Sequence, residues 1–346
     1  MNNEFNPIQN EIAMSGEEQK THKSLFSKLC LAFVAYLAFS QAFVILASLA
    51  IKEINPELLK NGNFSILLSS AIQYLVAFPI FILIIKKIPA NAPTKNTLNI
   101  KNFIKLLSIS MLVMYIGEYL SNMVMLFINE QLGTVPENAV NSLLSSTDIW
   151  LSALIVGIIA PIVEELMFRK FIIDRLTPYG DVLCIFFPAL IFGLIHGNLY
   201  QFFYAFFIGI ILSFVYVKTG KIIYSIIIHC FINLFCGVLL SYINTLVNIE
   251  ELYEMLYSGA LTEEYYAANQ AAINLLSIYS TVFTILLIMG VFNLNRNLHK
   301  IRFQKGMVRF PKGTRAEIIF FNAGAILLIT ACVIIMAINT FSFPTT

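Results

Sequence analysis

The sequence predicts an all-α protein, a polytopic membrane helix bundle of eight to nine transmembrane helices, and three observations predict it. The 346 residues are 58% hydrophobic and only 12% charged, about half the charged share of an ordinary soluble domain. Apolar runs of roughly 20 residues, the length needed to cross a hydrocarbon core, recur along the whole chain. The basic residues fall almost entirely on alternate loops, as membrane insertion requires. Thirty Phe against one Trp, and a mean hydropathy of +0.78, fit a chain solvated by acyl chains. A net charge of +2 without a basic stripe argues against a nucleic-acid partner.

Residues 1–23 are polar, carry four Glu and two Lys, and read as a cytoplasmic tail ahead of an uncleaved first span. Apolar runs follow at 25–51, 66–85, 103–128, 149–168, 182–196, 202–217, 222–247, 273–292 and 318–338. The fifth and sixth are short for perpendicular spans. With the N-terminus inside, only Lys52 and Lys60 of the 22 basic residues fall outside. Joining the two short runs into one span would put the late clusters, such as Arg296, Lys300 and Arg302, on the wrong side. The chain therefore divides into a tail (1–23), N-terminal helices (24–148), a polar-bearing core (149–247) and C-terminal helices (248–346). Cys30, Cys184, Cys230, Cys236 and Cys332 lie in or beside apolar runs, without disulfide or metal spacing, and read as packing residues.

A charge at the centre of a span costs about 2.5–3.5 kcal/mol on the insertion scale, so it needs a reason. The exceptions gather in the core. Pro161-Ile-Val-Glu164-Glu165-Leu-Met-Phe-Arg169 is placed near the inner end of the fourth span. Glu165 and Arg169, four apart, can pair within one helix, while Glu164 is turned about 100° away and free to face a cavity. Pro161 lacks an N–H and leaves the carbonyl of Gly157 without its helical donor. Phe192-x-x-x-His196 and His229-x-x-x-Asn233 each put two distinctive side chains on one helical face. His22 and His299 sit in polar flanks and read as solvent-exposed. Glu118, one turn before Asn122 in the third span, is an unassigned polar position that could pair with Arg169.

A carboxylate, two imidazoles and a carboxamide converging from three helices suit hydrolysis of an amide. The carboxylate Glu164 would act as general base, His196 would hold the water, and His229 with Asn233 would donate to the oxyanion. No Ser or Cys stands in a nucleophile motif. Glu164, His196 and His229 are also the residue types of a three-ligand zinc site with one open position, so hydrolysis with and without zinc both stay open.

The ordered triple Glu164-Glu165-x-x-x-Arg169, Phe192-x-x-x-His196 and His229-x-x-x-Asn233 resembles the three motifs of the CAAX-protease and bacteriocin-processing (Abi, CPBP) family of intramembrane endopeptidases. The likeness covers roughly residues 149–240. It implies a helical membrane protease in which Glu164 and His196 activate water while His229 and Asn233 stabilise the oxyanion. Glu165, Arg169 and Phe192 would be supporting residues. It also implies a peptide or lipidated protein as substrate, with membrane lipids around it. Zinc dependence is disputed within that family.

Two further expectations follow. For Glu164 and His196 to share a depth, the fifth helix should begin near Pro188 and turn at Gly197-Asn198 under a cover of protein. Short loops and the lack of organelle signals point to a bacterial plasma membrane. A non-catalytic immunity or regulatory protein of the same fold is the competing reading. A transporter is disfavoured, because the chain shows no pair of related halves.

Overall fold

The computed structural model describes residues 14–132 and 139–341, so the tail expected at 1–23 lies partly outside the described residues. Among the described residues, eight helices are long and apolar enough to cross a membrane, and a ninth is shorter. In chain order they are α1 (Gly16–Ile54), α2 (Gly62–Ile85), α3 (Ile100–Gln131), α4 (Ile149–Tyr179), the short α5 (Asp181–Ile195), α6 (Leu199–Thr219), α7 (Ile222–Leu246), α8 (Glu263–Leu298) and α9 (Ala323–Thr340). No strand occurs among the described residues. The fold is the polytopic all-α bundle that the apolar runs predict.

Helix ends follow local chemistry. Ser15 and Glu18 exchange bonds across the start of α1, so helix replaces the expected tail from Gly16 onward. Asn198 caps α6 by accepting from the Gln201 N–H, and Gly220, at φ +59°, ends it. The last apolar run is broken: a short helix, Arg315–Phe320, precedes α9. The break centres on buried Asn322, whose side chain donates to the carbonyls of Ile318 and Ile319 and accepts from the Ala325 N–H.

Close crossings place the core helices. Gly117 of α3 lies against the backbone of Tyr204 in α6, where a Cβ would have no room. Gly193 and Gly209 do the same service between α5 and α6. One continuous apolar core runs from Phe26 and Phe33 of α1 through Phe168, Phe192, Ile208 and Ile228 to Met336 of α9.

The fourth span departs from expectation. It does not end near Phe168 but continues to Tyr179, stopped by Thr177-Pro178-Tyr179-Gly180 with Gly180 at φ +88°. Arg169 and Arg175 therefore lie within the helix and not at its end. Arg169 is wholly buried, and Arg175 donates to the carbonyls of Ile85 and Phe171. Lys170 pairs with Asp174 at 2.6 Å.

This removes the need for a late start to α5. That helix begins at Asp181, whose carboxylate is held by Lys218 and the Gln304 N–H, and Pro188 lies inside it. Counted at 1.5 Å per residue, Glu164 lies about 18 Å beyond Leu176, and His196 about 22 Å beyond Asp181. Two long rises match the depths. The turn at Gly197-Asn198 is present and covered: Asn339 of α9 donates to the Gly197 carbonyl at 2.7 Å, and Ile335 packs over it.

Candidate active site

The polar residues of α4, α5 and α7 form one seam, and the α4 backbone shapes it. Residues Ile155–Ile159 and Leu166–Ile173 are π-helical turns on either side of Glu164 and Glu165. In a π register the Val156 carbonyl would accept from residue 161, which is Pro161 and has no N–H. The Asn233 side chain supplies that bond, its Nδ2 donating to the Val156 oxygen at 2.9 Å. The carbonyl released by the proline is thus that of Val156, not Gly157, because the turn is one residue wider than an α-helical one. Gly157 has no side chain to obstruct Leu234 of α7, so the two helices meet closely beside this bond.

The two neighbouring glutamates have different surroundings. Glu165 is 0% exposed; its Oε1 lies 3.1 Å from Arg169 and accepts from His229 Nδ1 at 3.0 Å. Glu164 keeps 29% of its side chain accessible, with Oε2 3.6 Å from His229 Nε2. His229 therefore stands between the carboxylates, its orientation fixed by the buried one. None of the Arg169 nitrogens has a hydrogen-bond partner of good geometry among the described residues. Its charge is met by Glu165 and by ring faces, with Cζ 4.7 Å from the Phe192 centroid and 5.9 Å from that of Phe168.

Phe192 connects the parts. Its ring meets His196 at 4.8 Å and 89°, and His229 at 5.7 Å and 90°. Its carbonyl accepts from His196 Nδ1 at 2.6 Å, a free carbonyl of the last turn of α5. With the proton on Nδ1, His196 presents Nε2 as an acceptor for a water hydrogen. His196 caps α5 rather than lying within it.

The structure thus brings Glu164, Glu165, Arg169, Phe192, His196, His229 and Asn233 to one seam. The zinc arrangement does not form. Among the described residues no three His, Cys, Asp or Glu side chains are grouped to hold a metal ion. His229 Nδ1 is committed to Glu165 and His196 Nδ1 to the Phe192 carbonyl, which leaves the Nε2 atom of each ring on its other side.

Glu118 does not reach Arg169, whose ion partner is Glu165, and it forms no ion pair among the described residues. His22 is partly buried and not fully exposed: it shares a 2.7 Å hydrogen bond with the Tyr179 hydroxyl and packs on Phe310. Sequence reasoning missed three tyrosines. Tyr36 and Tyr74 lie within electrostatic reach of Glu164, as does Tyr204, whose ring is 6.4 Å from His196. Tyrosines in apolar runs carry no signal that would have singled them out.

Comparison with known proteins falls on the same helices. Residues 146–235 match the family described as Rce1-like, Type II CAAX prenyl endopeptidase Rce1-like. A curated relative, the UPF0177 protein YxdF of Lactococcus lactis subsp. lactis (strain IL1403), is 28% identical over 110 residues. That match covers 32% of this chain and 61% of the relative. No solved structure gives a significant match. The matched stretch is the one that folds into the polar seam, and the two matches support a membrane protein of the CAAX-protease and bacteriocin-processing family.

Proposed function

We propose that the protein is an intramembrane endopeptidase that hydrolyses a peptide bond in a membrane-associated or prenylated-type peptide by glutamate-activated water. The observation that carries this reading is the contrast within Glu164-Glu165: one carboxylate is locked to Arg169 and His229, and its neighbour is left accessible beside the same imidazole. Glu164 takes the proton of a water whose other hydrogen is received by His196 Nε2. The hydroxide adds to the scissile carbonyl. His229, as an imidazolium whose Nδ1–H is held by Glu165 and whose Nε2–H is then free to donate, and the second N–H of Asn233 are the donors available to the oxyanion, and Glu164 returns the proton to the leaving amine. A positioned general base contributes about 10²–10⁴ in rate, and one oxyanion donor about 10²–10³.

The proposed setting is a bacterial plasma membrane with the N-terminus cytoplasmic, argued from the split of basic residues between loops. The test compares membrane peptides from cells carrying the wild-type protein with those from cells carrying Glu164→Gln at equal abundance. Accumulation of uncut precursors only in the variant supports the peptidase. Identical peptide sets, with the cellular phenotype intact, would instead favour a contact-acting immunity or regulatory protein of this fold.

A further inference from the structure

On the flank of the short helix lies a groove of about 420 Å³, between α5, α6 and the helix Arg315–Phe320. Val182, Phe186 and Leu190, four residues apart, form a stripe about 12 Å long on α5. Phe206 of α6 and Phe320 are among the other walls, and Arg315 is the single charged lining residue. Val182 and Phe186 remain exposed. With 15 residues, α5 is about 22 Å long against a hydrocarbon core of about 30 Å, so the groove runs beside a helix too short to cross alone.

The charges around the groove select an occupant. The nearby acids are already satisfied: Asp181 is held by Lys218 and the Gln304 N–H, and Glu317 pairs with Lys23 at 2.9 Å. Arg315 is exposed, has no ion-pair partner among the described residues, and closes a segment that also carries Arg296, Lys300, Arg302, Lys305 and Lys312. An apolar slot with one unopposed guanidinium at its rim fits a chain ending in an anion. A zwitterionic lipid would bring an ammonium to a rim with no free carboxylate. A prenyl chain would fit the walls but leave Arg315 unmatched.

We propose that this groove binds an anionic glycerophospholipid, its phosphate on Arg315 and one acyl chain along Val182, Phe186, Leu190 and Phe206. The bound lipid completes the flank of the helix whose far end carries Phe192 and His196. The site is independent of peptidase activity, and so is its test. Full-length protein in neutral detergent is titrated with palmitoyl-oleoyl phosphatidylglycerol and, separately, the matching phosphatidylcholine, and the bound species are counted by native mass spectrometry. The first phosphatidylglycerol is expected to bind about fivefold tighter than phosphatidylcholine, the value of one basic contact at a membrane surface. Arg315→Gln, at an exposed position, erases that preference. Ala316→Trp, at an exposed lining position, weakens binding of both lipids. Equal binding of the two lipids by the wild-type protein, or a preference that survives Arg315→Gln, overturns the proposal. Displacement of phosphatidylglycerol by a farnesylated peptide would give the groove to substrate and overturn it as well.

Discussion

The polar seam has two halves made from the same few residues. In the sealed half, Glu165 faces Arg169 and accepts from His229 Nδ1, with no exposure of the carboxylate or the guanidinium. In the open half, Glu164 and His196 each have one committed side and one available side. The sealed half is a buried network whose members depend on one another, so it holds geometry. The open half pays little into the fold and can spend its hydrogen bonds elsewhere. Adjacent residues on one helix can thus belong to opposite regimes, because a step of one residue turns a side chain by about 100°.

Substitutions can break this contrast, beginning with the largest expected effect. Arg169→Met leaves Glu165 buried without its cation, and the loss of stability is expected to be about 3–5 kcal/mol, measured as thermal unfolding in detergent. A change below about 1 kcal/mol would mean that the sealed half is not closed. Glu164→Gln should do the reverse. Peptide cleavage is expected to fall about 10²–10⁴-fold, with stability moved by less than about 1 kcal/mol, because the group lost is a base and not a buried partner.

Asn233→Ala strips the Val156 carbonyl of its donor and is expected to cost about 1–3 kcal/mol, placing this residue between the two halves. If its melting point matches the wild type, the proline-opened turn in α4 does not depend on α7. The smallest effect is expected at Lys60→Ala, which removes an exposed pair with Glu57. Thermal unfolding should move by no more than about 0.5 kcal/mol, which sets the scale for the others.

Much of this was legible in the sequence for a physical reason: bilayer thickness fixes span length, and insertion sorts basic loops. The nine apolar runs correspond to the nine helices. The pairing of Glu165 with Arg169, and the freedom of Glu164, follow from helical spacing alone. What misled was treating charge as a marker of the interface. Arg169, Lys170 and Arg175 look like the end of a span because their partners, Glu165, Asp174 and the Ile85 carbonyl, cannot be seen without packing. The stop signal was present further on, in Pro178-Tyr179-Gly180. The placement of α5 failed for the same reason, since the anchor of Asp181 on Lys218 joins residues 37 apart. The tyrosines around Glu164 and the cover over Gly197 had no local signature.

That cover has a consequence for how the chain is made. Asn339, which fastens the turn just after His196, belongs to α9, the last of the nine helices in chain order. During synthesis the segments bearing the glutamates and histidines emerge well before it, so the corner they form is left unlatched until the final helix inserts. The polar seam is thereby completed only once α9 has joined the bundle.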